Sequence, residues 1–246
     1  MINYRINKLI SKFKKYNIDG YIIPKNDEFF SEYSANDRLK AISNFSGSAG
    51  YSIILKNKNY LFVDGRYTIQ AKKEAGKNFQ IIDFHKIINC NLFKNLSIGF
   101  NPKFFTSVQI KKFFNKHNKV KSIESNLIDQ IHKSKIKSNK PFFSLKSKVV
   151  GENYKTKIIK IRKYLNKNKS DYLFVTAPEN VAWLLNIRGH DNPNSPIPNC
   201  HLILDNKNSF YLITYKSKVS KLIKEKKLKS YQIIEPENFN KFISNL

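Results

Sequence analysis

The chain has 246 residues, with 45 Lys and Arg against 18 Asp and Glu, a formal net charge of +27, and 41% hydrophobic and 13% aromatic residues. This apolar content allows one large core or two ordinary ones and excludes a disordered polar chain. No apolar run approaches the roughly 18 residues that cross a bilayer, and the amino terminus has no signal-type apolar stretch, so the expectation is a cytoplasmic protein that binds no membrane.

In chain order, Leu9, Phe13 and Tyr16 share one helical face and lead into the apolar run IDGYIIP (18–24), which reads as a strand. AISNFSGSAG (41–50) is apolar and aromatic before it reaches its glycines. YSIILKNKNYLFVD (51–64) reads as a hairpin turning at Lys-Asn, and GRYTIQAKKEAG (65–76) as a helix start. QIIDFHKI (80–87) predicts a strand. SIGFNPKFFTSVQIKKFF (97–114) predicts strand, turn at Asn101-Pro102 and helix, and KVKSIESNLIDQI (119–131) a strand and a short helix. The polar stretch 132–155, broken by Pro141 and Gly151, predicts a linker.

The order then repeats about 150 residues later. Ile158, Ile161 and Leu165 mark a helix, SDYLFVTAP (170–178) a strand, and AWLLNIRGHD (182–191) matches 41–50. HLILDNKNSFYLIT (201–214) is a second hairpin and YKSKVSKLIKEKK (215–227) a second helix. Two copies of one α/β domain account for this better than one large domain. The second copy ends at YQIIEPENFNKFISNL (231–246), before any counterpart of 97–131, which suggests a domain lacking its last elements.

DGYIIPKNDEFFSEYSANDRLKAISNFSGSAG (19–50) with LFVDGRYTIQA (61–71) resembles the first domain of the aminopeptidase P family, related in fold to creatinase and prolidase. VTAPENVAWLLNIRGHDNPNSPIPNCHLIL (175–204) resembles the middle domain of its three-domain members. The resemblance covers essentially the whole chain, and its SEY, SGSAG, DGRY and NIRG-D-NP clusters keep the family order. It implies two tandem creatinase N-terminal-like domains, 1–140 and 141–246, each a mixed sheet flanked by helices, the second truncated at its C-terminal end. It also implies the non-catalytic front half of an Xaa-Pro aminopeptidase, which shapes the substrate channel and assembly. The complete enzyme would cut peptides with proline second, using two divalent metals, manganese by resemblance, held in a C-terminal catalytic domain absent here. A homodimer is a further implied assembly. The alternative is a stand-alone module that binds peptides or polyanions without cutting.

The candidate residues divide by chemistry. The histidines 85, 117, 132, 190 and 201 form no HExxH or similar pair with carboxylates, so no metal ligands and no catalytic residues are expected within the chain. Arg66 of DGRY reads either as a partner of Asp64 at the strand exit, where Gly65 permits a sharp turn, or as a guanidinium reaching a peptide; the resemblance favours the second. SGSAG leads into a strand, so it does not cradle phosphate; Gly47 and Gly50 suggest close backbone packing with unusual dihedrals, and Ser48 has no His partner. Arg188 and Asp191 are the polar groups of the stiff loop 186–200, which in the family walls the active-site channel. Asn194 and Ser195 stand where relatives often carry an aromatic, which weakens that assignment. Trp183 is expected in the second core.

Five arginines leave 40 lysines, spread through the chain rather than set in a stripe. That pattern argues against specific nucleic-acid binding and reads as A/T-rich codon bias. Cys90 and Cys200 read as reduced thiols.

Overall fold

The computed structural model describes residues 1–31, 34–114, 117–132 and 138–246. The chain forms two compact units, Met1–Ile136 and Lys137–Leu246. In the first, strands β1 (Gly20–Pro24), β2 (Gly50–Leu55), β3 (Asn59–Val63), β4 (Gln80–Asp83), β5 (Ser97–Phe100) and β6 (Lys119–Ser122) form a mixed sheet in the order β4-β3-β2-β1-β5-β6. β1 is central: antiparallel β2 pairs one edge, parallel β5 the other, and all five β1 residues are buried. A strand covered on both edges and both faces reads as a continuous apolar run, as GYIIP does.

Helices α1 (Ile2–Ile10), α2 (Phe13–Tyr16), α3 (Arg38–Ser43), α4 (Thr68–Ala75) and α6 (Leu127–Ile131) accompany the sheet, as does α5 (Ser107–Phe113). Leu9, Phe13, Leu39, Ile42 and Leu127 pack with Tyr21, Ile23, Ile54 and Leu61 on one face. On the other, Ile22, Ile53, Tyr60 and Phe62 pack with Ile98, Phe104, Ile110 and Phe113. Period-two alternation assigns neighbouring β1 residues to opposite cores.

Helix ends follow from side-chain chemistry. Thr106 and Gln109 form a reciprocal capping box on α5, and Asp37 caps α3 by accepting the Lys40 N–H. Asn17, Asn44 and Asn186, at φ 48°, 69° and 52°, take the left-handed conformation where glycine is usual. They end α2, α3 and the helix Pro178–Leu185 of the second unit.

In the second unit, β7 (Phe143–Ser144) pairs with β9 (Ile187–Arg188). Strands β8 (Tyr172–Val175), β10 (His201–Asp205), β11 (Phe210–Ile213) and β12 (Ile233–Ile234) form a sheet in the order β12-β11-β10-β8. Helices α7 (Ser147–Val150), α8 (Tyr154–Lys167), α9 (Pro178–Leu185), α10 (Lys216–Lys224) and α11 (Phe239–Ile243) complete it. Val181, Leu184, Leu185, Val219 and Leu222 pack against Leu202, Leu204 and Leu212. Both hairpins form where the sequence placed them, and Asp205 closes the second by accepting the Lys207 and Ser209 N–H groups at 3.1 and 2.7 Å.

Three expectations change. The stretch 132–155 is not a simple linker: its residues 133–137 lie outside the described ones, but Phe142 is fully buried in the second core and β7 joins β9. A single aromatic with a core to enter outweighs the polarity of its neighbours. Trp183 is 58% exposed, because α9 turns Val181, Leu184 and Leu185 inward. Gly151 is the only described glycine with positive φ, so Gly47, Gly50 and Gly65 use ordinary backbone. Cys90 and Cys200 are free and buried.

Phe142→Ala should lower the second unit's unfolding free energy by about 3–5 kcal/mol, the usual cost of emptying an aromatic core site. Urea denaturation followed by hydrogen exchange checks this: the β10 and β11 amides should lose protection at lower urea while those of β1–β3 do not change.

Candidate functional site

In the first unit, the end of β3 delivers Asp64 and Arg66 to a turn fastened to the SGSAG loop. The Asp64 carboxylate accepts the Arg66 backbone N–H at 2.9 Å and its guanidinium Nε and Nη2 at 2.9 and 3.3 Å. These bonds, the side-chain one first, hold the Asp64 carboxyl below the usual carboxylate range. The guanidinium lies 5.4 Å from the Tyr67 ring centre, and the Tyr67 hydroxyl meets Ser48 Oγ at 2.7 Å. Ser46 donates its N–H and hydroxyl to Glu74 of α4, both at 2.8 Å, and Gln70 donates to Ser46 Oγ at 2.9 Å. Partial burial opposes ionisation of Glu74, but the Ser46 and Gln70 hydrogen bonds and the charge of Lys40 together outweigh it and its pKa falls.

Gly47 is there for space. A Cβ on it would lie 2.2 Å from the Phe45 ring and 2.9 Å from Tyr67, and those rings meet edge to face at 5.8 Å. Gly65 has open space around it, so the turn is set by the Asp64 bonds rather than by a glycine. The Arg66 side chain is 72% exposed on this platform. Arg66 thus pairs with Asp64 while its side chain stays largely exposed. The Glu32 and Tyr33 of SEY lie outside the described residues.

A second ion pair of the first unit joins a buried guanidinium to a half-exposed carboxylate. Arg38 binds Asp129 through Nε and Nη2 at 2.9 and 2.8 Å and lies 4.5 Å from the Phe104 ring centre. Asp129 is 91 residues away, and no local pattern links them. Burial pushes the Asp27 carboxyl up, although it accepts the Phe29 and Ser31 N–H groups.

In the second unit, the structure does not join Arg188 to Asp191. The Arg188 guanidinium donates to the Ile187 and Ala182 carbonyls at 2.8 and 3.2 Å. Asp191 accepts the Asn199 N–H at 2.7 Å and the Lys218 ammonium, and Lys218 also donates to the Ser138 carbonyl. The Asp191 and Lys218 side chains are 7% and 13% exposed, so Asp191 pins the loop 186–200 to α10. His190 stacks on Phe143 at 5.3 Å, and together with Lys140, Pro141 and Lys221 they line an open cavity of about 360 Å³.

Exposed Trp183 covers an amine cluster that periodicity alone could not reveal. Lys157 donates to the Trp183 carbonyl and Asn186 Oδ1, both at 2.7 Å, and its Nζ lies 4.1 Å from the Trp183 ring centre. Lys227 donates to the Asn186 carbonyl at 3.2 Å and sits 4.9 Å from the Tyr154 ring centre. Burial lowers both amines; Lys227 comes down to about 8, with Lys157 adding to the effect and Glu225 opposing it. Among the described residues, no group of three or more His, Cys, Asp and Glu side chains can hold a metal ion. No helix among them is long and apolar enough to cross a membrane.

Lys227 gives a pH prediction with a fixed sign. Between about 8 and the ordinary 10.5, the unfolded chain keeps a proton that the folded unit has released, so stability rises with pH across that window. Lys227→Met should flatten this rise, read as the change in the second unit's urea midpoint between the two ends of the window.

The creatinase/prolidase N-terminal domain family matches the chain twice, over residues 5–131 and 133–246. A probable Xaa-Pro aminopeptidase P of Laccaria bicolor is 32% identical over 210 residues, covering 78% of this chain and 33% of that protein. Xaa-Pro aminopeptidase 1 of Dictyostelium discoideum is 30% identical over 224 residues, covering 80% of this chain and 35% of that protein. The chain therefore spans about a third of the length of the curated relatives it matches. The fold is similar, with a TM-score of 0.87 and 23% identity, to the crystal structure of X-prolyl aminopeptidase from Caenorhabditis elegans, described as a cytosolic enzyme with a di-nuclear active site; the match covers all of this chain and 44% of that one. Matched in each half by the same family, the chain belongs to the creatinase/prolidase N-terminal domain family and carries two such domains in tandem.

Proposed function

We propose that this chain is the substrate-shaping, non-catalytic portion of a metallo-aminopeptidase that removes the residue before proline. The observation carrying this reading is the exposed Arg66 fork on its Asp64–Tyr67–Ser48 platform. An exposed ion pair is weak, so the guanidinium can exchange Asp64 for a peptide carbonyl or carboxylate at small cost. The similarity to proteins named Xaa-Pro aminopeptidase supplies the substrate class, a peptide with proline second. The paired divalent metals, manganese in this reading, and the attack on the scissile bond belong to a catalytic portion outside this chain. The stiff loop 186–200, with Arg188, forms a wall toward the substrate, and Asp191 holds that wall in place. A cytoplasmic setting and a homodimer belong to the same reading.

A second reading, a module that holds peptides or polyanions without any catalytic partner, draws on the net charge of +27. The two separate in one assay series. The purified chain with manganese should not turn over an Xaa-Pro peptide. Joined to a catalytic portion it should, and Arg66→Ala should then lower kcat/KM by roughly tenfold or more, mainly through KM, as expected when a charged hydrogen-bond donor to substrate is lost. Unchanged kcat/KM in Arg66→Ala would remove Arg66 from the substrate site. Polyanion affinity that falls steeply with salt, with no catalytic partner found, would favour the second reading.

A further inference from the structure

Two lysines of the second unit turn inward to one asparagine. α10 ends in a Schellman turn: Lys226 takes left-handed backbone at φ 54°, and the Lys226 and Lys227 N–H groups donate to the Ile223 and Leu222 carbonyls at 2.9 and 3.0 Å. The residue at the place of Lys227 in such a turn commonly packs an apolar side chain against the helix. Here the side chain is half-buried, and its Nζ meets the Asn186 carbonyl at 3.2 Å and the Tyr154 ring centre at 4.9 Å. Lys157, 3% exposed, arrives from α8 and donates to Asn186 Oδ1 at 2.7 Å. One asparagine thus holds both amines.

The charges around them do not balance. Among the described residues, neither amine forms an ion pair with a carboxylate. Glu152 acts on Lys157 from a distance but pairs with Lys160 at 2.6 Å, and Arg188 adds a third cation. Glu225 is the acid that acts on Lys227. Tyr154 stays protonated, because burial pushes its hydroxyl up. Burial, with the Lys157 charge adding to it, brings Lys227 down to about 8, so near that pH about half of its amine carries a free lone pair.

We infer that Lys227 is a carbon dioxide site, its amine converting to a carbamate held by the Lys157 ammonium. The Lys227 nitrogen lone pair attacks the carbon of CO2 and forms an N–C bond. One C=O π pair moves onto its oxygen, and the nitrogen gives one proton to solvent. No oxidant or further reactant is needed. CO2 is small and uncharged, so it enters a half-buried place at little desolvation cost. Desolvation disfavours ammonium and carbamate alike; Lys157 separates them, repelling the first and attracting the second. Two of the three Lys157 ammonium donors go to Asn186 and Trp183, which leaves one for the carbamate. The modified side chain ties the end of α10 to the end of α9, where the loop 186–200 begins. The reaction needs no catalytic portion, so it stands apart from the proposed peptidase role.

The test equilibrates the 246-residue chain with isotopically labelled bicarbonate at about pH 8, with chloride at equal ionic strength as the control. Carbamates are fixed by ethylation with a trialkyloxonium salt, located by peptide mass spectrometry and quantified by carbon NMR. Lys227 should carry more of the trapped group than any other lysine; the terminal amine of Met1, which also reacts, falls in a separate peptide. Lys227→Arg keeps the positive charge but forms no carbamate, and should remove the Lys227 signal. Lys157→Met should lower Lys227 occupancy about tenfold, the equivalent of one pK unit of opposite charge. Hydrogen-exchange protection in β10 and β11 shows that each variant is folded. Bicarbonate should also raise the second unit's urea midpoint over chloride in the parent chain and not in Lys227→Arg. No trapped group on Lys227, labelling spread evenly over the lysines, or full Lys227 occupancy in folded Lys157→Met overturns the inference.

Discussion

Strand register is the constraint from which the rest of the molecule follows. In both units an antiparallel hairpin lies against a preceding strand, and the pairing decides which side chains face which core. Tyr21, Ile23 and Ile54 go to one face and Ile22, Ile53 and Tyr60 to the other. A shift of one residue would exchange the two sets and place the helix-facing residues on the wrong side. The helices, the loops at strand ends and the residues those loops present are consequences of that alternation.

Burial then separates the polar pairs by what they can do. Arg66 and Asp64 are 72% and 39% exposed, so water competes with their attraction and the guanidinium can change partner. Asp191 and Lys218 are 7% and 13% exposed, and removing either would leave the other charged in a poorly solvated place. The first pair stands largely in water, and the second fastens the loop 186–200 to α10. Arg38 with Asp129 is intermediate: the guanidinium is buried at 7% exposure, while its carboxylate partner is 40% exposed.

Several cations are met at short range by aromatic faces and backbone carbonyls. Lys157 lies over Trp183, Lys227 over Tyr154 and Arg38 over Phe104. Asn186 joins the amine cluster, ending α9 through its left-handed backbone, accepting from both lysines and donating to the Glu152 carbonyl at 2.9 Å. This is a use for asparagine that codon bias alone does not describe.

By itself, the sequence determined the elements and their repetition. Apolar runs such as GYIIP and HLILD, the Lys-Asn turns and the helical spacing of Ile158, Ile161 and Leu165 are local patterns, and local patterns fix local structure. The DGRY and SGSAG clusters could be found the same way, and so could the family. Tertiary structure alone decided which polar groups meet. Asp129 finds Arg38 across 91 residues, Lys218 finds Asp191 across 27, and Lys227 reaches Asn186 across 41. It also turned Trp183 outward and drew Phe142 out of an otherwise polar stretch into a core. The physical reason is that burial and ion pairing depend on distances in space, which the sheet sets, whereas spacing along the chain reports only what neighbours do.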